Sequence, residues 1–104
     1  MKRLSPFPLA IALFASQSGS VQATDIAYGE YLASECVTCH QASGAENGIP
    51  SIVGWPEESF VAVMNSYKTR ERDNPVMQTI AGRYGEEEIA ALALYFRSLP
   101  GKGQ

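Results

Sequence analysis

Three stretches of the chain carry a helical rhythm of apolar positions, and the two-residue alternation of a strand is weak throughout. In 56–68, Phe60, Val63, Met64 and Tyr67 recur at i, i+3, i+4 and i+7, which lines one face of a helix. Pro56 suits the first turn of that helix, and Glu57 and Glu58 complement the positive end of its dipole. In 86–99, Ile89, Leu92, Ala93, Phe96 and Leu99 form an apolar face behind three opening glutamates, and Pro100-Gly101 stops it. In 25–39 the pattern is sparser: Asp25 suits an N-cap, and Gly29, Leu32 and Cys36 follow at helical spacing. A short helical turn is predicted over 77–82, after the turn formers Asp73-Asn74-Pro75. The fold class is therefore all-α, with three main helices, one short helical turn and two long loops, 41–55 and 69–76. Loops of that length in a compact domain wrap around something or build a site.

Ahead of these elements the pattern changes. Lys2 and Arg3 precede the apolar run Leu9-Ala10-Ile11-Ala12-Leu13-Phe14-Ala15, and small and polar residues lead to Val21-Gln22-Ala23. This reads as a signal peptide over 1–23, cut near Ala23. The run is shorter than the ~20 residues needed to span a bilayer. The expectation is an exported, periplasmic domain over 24–104 with no membrane insertion. Removing Lys2 and Arg3 leaves six basic residues against eleven acidic ones, a net charge of −5. That balance excludes a nucleic-acid binder, which needs a basic stripe. A domain of this size buries a limited core and leans on a staple, a metal or a cofactor.

Both cysteines and the single histidine of the chain fall within Cys36-Val37-Thr38-Cys39-His40. A structural zinc site needs about four ligands, and nothing elsewhere supplies the other half. A redox dithiol expects a βαβ context that is missing. A disulfide between Cys36 and Cys39 would close a very short loop and leave His40 unexplained. The remaining reading is C-x-x-C-H, the signature of covalent c-type haem attachment. Two thiols one helical turn apart reach the two vinyl groups on one porphyrin edge, and the histidine after them is carried beneath the iron.

An electron carrier fills the sixth position of its iron, often with methionine. Met64 and Met77 remain in the mature chain. Met64 belongs to the Phe60/Val63/Tyr67 stripe and is expected in the core. Met77 follows the Asn74-Pro75 turn, free to point at a cofactor, and is the preferred ligand.

With these residues in view the chain resembles a class I cytochrome c. The likeness rests on Cys36-Val37-Thr38-Cys39-His40, Pro50-Ser51-Ile52-Val53-Gly54, Arg72-Asp73-Asn74-Pro75-Val76-Met77 and Glu88-Ile89-Ala90-Ala91-Leu92-Ala93-Leu94-Tyr95-Phe96, in the family's order and across the mature chain. It implies one haem c, bound through Cys36 and Cys39 and ligated by His40 and Met77. It implies that the Pro50 carbonyl orients His40, and that Gly29 and Leu32 of the first helix meet the Leu92/Tyr95/Phe96 face of the last. It also lays the loop before Met77 along the haem, where Arg72 would pair a propionate. Asn74 would cap the turn before Met77 or donate to its sulfur.

A narrower likeness, over 50–96, is to the cytochrome subunits of flavocytochrome c sulfide dehydrogenases, which accept electrons from a flavin-bearing partner. Trp55 departs from that pattern, and it would either cover a haem edge, face a partner or fill the core. The reading is a monohaem electron carrier without a catalytic site of its own, serving as the electron-accepting subunit of a sulfide-oxidising flavoprotein complex. The alternative is a freely diffusing carrier between respiratory or photosynthetic complexes. A haem enzyme or gas sensor is the weakest class, because Met77 would have to leave the iron.

Overall fold

The computed structural model describes residues 20–101 and Arg3; the rest of the leader, with its apolar run, lies outside the described residues. The described chain is helical and contains no strand. Helix α1 spans Ser20–Leu32 and continues into a 3-10 turn, Ala33–Glu35. Helix α2 spans Glu57–Lys68, α3 spans Pro75–Ala81 and α4 spans Glu86–Ser98.

The two helices with the clearest apolar stripes sit almost where the stripes place them. Pro56 is the residue before α2 rather than inside it, and its carbonyl accepts the Phe60 N–H at 3.1 Å. Gly85 caps α4 from the position before it, its N–H donating to Glu88 Oε1 at 2.9 Å, and the chain leaves at Leu99 in an extended conformation, as the residue before a proline prefers. The other two differ from expectation. The predicted turn at 77–82 is a two-turn helix, because Asn74 caps it through Oδ1 to the Met77 N–H at 3.0 Å and Pro75 supplies a ready-set first residue. Regular α1 starts earlier, at Ser20, so Asp25 lies within it and the expected cleavage point falls inside the helix. It also ends earlier than 39. From Ala33 the bonds tighten: the Cys36 N–H donates to Ala33 O at 2.8 Å, and the Thr38 hydroxyl donates back to Glu35 O at 2.9 Å. The chain then coils through the cysteine segment as turns.

The core lies between α1, α2 and α4. Ile89, Leu92 and Phe96 of α4 are its largest fully buried side chains. Phe96 stacks on Phe60 of α2 with ring centroids 5.7 Å apart, and Tyr95 meets Phe96 edge-on at 5.1 Å. Gly29 makes the α1–α4 crossing possible. A Cβ there would come within 2.8 Å of Tyr95 Cβ and closer still to the Ala91 carbonyl. Leu32 packs beside it against the buried cluster. The crossing that the resemblance implies is thus present, with the backbone of Ala91 as its tightest contact. Loop 41–55 is tied to the same scaffold by Gly54, whose left-handed φ of 75° lets its N–H reach Phe96 O at 2.8 Å.

Candidate functional site

The helices close against one another on one side only. On the other, α2, α3, the cysteine turn and loop 41–55 surround a cavity of about 290 Å³, close to the lower end of the range for small-molecule and cofactor sites. Its walls are largely apolar: Ile52 and Trp55 from the loop, Phe60, Val63 and Met64 from α2, and Val76, Met77 and Ile80 from α3. Cys36, Cys39, His40 and Pro50 line it too, as do Glu35, Tyr67 and Arg72. All six residues singled out as cofactor-binding in the sequence therefore meet at one cavity.

Each is placed by local structure. Cys36 is buried at the foot of the 3-10 turn and Cys39 is exposed; both are free thiols. Burial pushes the Cys36 thiol up to about 11, and the neighbouring Glu35 carboxylate and Cys39 add to the rise. The His40 N–H donates to Cys36 O at 2.7 Å, so the imidazole is carried at the end of the same turn. His40 Nδ1 lies 2.7 Å from Pro50 O. A carbonyl only accepts, so Nδ1 carries the proton and Nε2 presents its lone pair. Gly48, with a left-handed φ of 83°, turns the loop two residues before Pro50.

Met77 is half-buried on α3, its backbone N–H fixed by the Asn74 cap. The expectation for Met64 needs enlarging. It is buried in the core cluster, as the α2 stripe requires, and it also lines the cavity. A helical stripe does not say whether the space it faces is filled by protein or by something else. Arg72 has its guanidinium 5.9 Å from the centroid of the Tyr67 ring, at the outer limit of a cation–π contact. Trp55 is half-buried, packed on the core and exposed to the cavity.

Sequence reasoning missed Glu35. Its Oε2 accepts from the Tyr84 hydroxyl at 3.1 Å and from Arg83 Nη1 at 3.1 Å, which ties the cysteine turn to the α3–α4 connection. Lys68 Nζ donates to Tyr84 O at 2.6 Å and brings the end of α2 to the same knot. Nothing local in the sequence links positions so far apart.

Among the described residues no three His, Cys, Asp or Glu side chains gather as a metal site. The donors on the wall match one kind of guest: two thiols for covalent tethers, one imidazole whose Nδ1 is engaged by Pro50, two thioethers, Met64 and Met77, and apolar faces around them. Haem c fits this set.

No family model matches the chain. It is similar to the thiosulfate dehydrogenase electron acceptor of Stutzerimonas stutzeri, 31% identical over 68 residues, which are 62% of this chain and 32% of that protein. The chain thus spans about a third of that relative. It is also similar to the cytochrome subunit of sulfide dehydrogenase of Chlorobaculum tepidum, 36% identical over 75 residues, which are 71% of this chain and 68% of that protein. Likeness of that depth over two thirds of a cytochrome, on a helical fold, makes this chain a member of the class I c-type cytochromes and a carrier of electrons.

Proposed function

We propose that this protein is a periplasmic monohaem cytochrome, exported by the leader over 1–23, and the electron-accepting subunit of a sulfide-oxidising flavoprotein complex. Cys36 and Cys39 would tether haem c as thioethers, and His40 Nε2 and Met77 Sδ would ligate its iron. The single observation that carries the site is the His40 Nδ1–Pro50 O contact at 2.7 Å on the wall of a cavity that Met77 also lines. The partner and substrate rest on the likeness to a cytochrome subunit of sulfide dehydrogenase.

The bound haem supplies a one-electron ferric/ferrous couple, and the residues of the chain set the conditions for it. Pro50 O accepts from Nδ1, which fixes the orientation of the His40 ring and turns Nε2 away from the loop. A thioether has no proton to lose, so Met77 enters an apolar wall at little cost, and as a ligand it raises the potential. With His40 and Met77 both held by the scaffold, the pair would keep oxygen from the iron and would shift little on electron transfer. Cys39 and Val76 border the cavity and are exposed, which leaves the guest's edge near the surface for a redox partner.

The test is isolation from the native periplasm under gentle conditions, followed by sizing with full absorption spectra. Co-elution of haem and flavin well above the mass of one small domain, with reduction by sulfide, is the expected result. A flavin-free haem peak at monomer size replaces this reading with the diffusing carrier. Ligation is checked separately: Met77→Ala removes the ferric iron–sulfur charge-transfer band, and Met64→Ala retains it. The opposite pattern would transfer the sixth ligand to α2.

A further inference from the structure

We infer that Gln78 is a positioning residue for the sixth ligand, a strut whose side-chain amide governs how readily Met77 leaves the iron; this rests on Met77 being that ligand. Helix α3 has only seven residues, and Ala81 is its one fully buried side chain. Met77 and Ile80 are partly buried, packing against the core cluster while also lining the cavity, and Val76 is 66% exposed, so packing seats this helix less fully than it seats α4. So short a helix is not stable by itself. Polar contacts have to fix it.

Gln78 makes them at both ends of its amide. Its Oε1 accepts from Arg70 Nη1 at 3.0 Å, and its Nε2 donates to Arg72 O at 2.8 Å. Each partner permits only one orientation, since a guanidinium only donates and a carbonyl only accepts. The loop it grips is itself anchored to α2: the Arg72 N–H donates to Ser66 O at 3.1 Å, and the Arg70 N–H donates to Tyr67 O at 3.1 Å. Arg70 holds a left-handed φ of 65°, uncommon for a residue with a side chain, and in that conformation its guanidinium reaches Gln78. Load therefore passes from α2 through the loop to Gln78, the residue beside Met77. Gln78 does not line the cavity and acts only through its neighbour.

The experiment uses the ferric holoprotein and imidazole as a competing ligand, followed by loss of the iron–sulfur band. Apparent imidazole affinity rises as the population with Met77 displaced rises. Gln78→Ala removes two hydrogen bonds, one of them to a cation, and is expected to tighten imidazole binding on the order of tenfold. Gln78→Glu keeps the acceptor for Arg70 and loses the donor to Arg72 O, and should fall between. Arg70→Gly loses the guanidinium but relieves the left-handed backbone. It should tighten imidazole binding with no fall in the urea midpoint, a separation that a purely structural role does not produce. Unchanged imidazole affinity in the three variants overturns the inference. If Gln78→Ala fails to fold, Gln78→Glu and Arg70→Gly decide it. Met77→Ala is the control: a band that survives it overturns the ligand assignment, an outcome distinct from a band that is lost there with imidazole affinity unmoved at Gln78.

Discussion

The α1–α4 crossing and the seat of α3 solve the same problem, holding a helix in place, by opposite means. At the crossing, shape is enough. Gly29 brings one backbone onto another, and the apolar side chains of α4 exclude water behind it. At α3 the packing is partial: Ala81 is buried, while Met77 and Ile80 meet the core cluster and also face the cavity. An N-cap and a two-ended glutamine complete its seat. The first region is complete as protein. The second borders an apolar cavity and relies on polar contacts to complete its seat.

The comparison breaks most visibly when the guest is withheld. A Cys36→Ala/Cys39→Ala chain, which cannot form the tethers, leaves about 290 Å³ unfilled. At ~24 cal/mol per Å³ that is about 7 kcal/mol, an upper figure because the mouth is open to water. It rivals the whole stability of a small domain. The expected outcome is no cooperative urea transition by circular dichroism, and a sharp one would show that the scaffold side stands alone. Next comes Gly29→Ala. The added carbon meets backbone, which cannot swing away, and should cost about 3 kcal/mol in a holoprotein urea titration. A loss under about 1 kcal/mol would mean that the crossing gives way as easily as the seat of α3.

The smallest effect concerns pH. Burial, chiefly, raises the Tyr84 phenol from near 10 to about 12, with the charge of a Cys36 thiolate and the Glu35 hydrogen bond adding to it. The folded state therefore holds this proton more tightly than the unfolded chain. Its contribution is full below about pH 10 and is lost as pH rises through about 12. In the holoprotein a thioether carries no charge, so the Cys36 part disappears and the fall is shallower. Tyr84→Phe should flatten the decline in unfolding free energy across that window.

The same contrast explains what the sequence discloses. Helices α2 and α4 announce themselves because their apolar faces meet protein at helical period. The five-residue haem motif is local and specific, so Cys36, Cys39 and His40 are readable at once. The place of Met77 at the start of a helix is readable because Asn74-Pro75 marks that start just before it, although the length of α3 is not. The Pro50–His40 contact enters only through the family resemblance, because ten residues of irregular loop separate the pair. Glu35, Tyr84 and Arg83 are opaque, for a polar contact between distant positions leaves no periodic trace. Gln78 is hidden for the same reason, and Met64 is half-seen.

The clasp of α1 with α4 joins the first helix of the domain to its last, with Gly29 and Ala91 62 positions apart. Closing so long a loop is entropically slow, and contact order of this kind delays folding. A chain emerging from N- to C-terminus therefore cannot close until its final helix has appeared. The close approach at Gly29 is thus a late contact, made only once both ends of this long loop are in place.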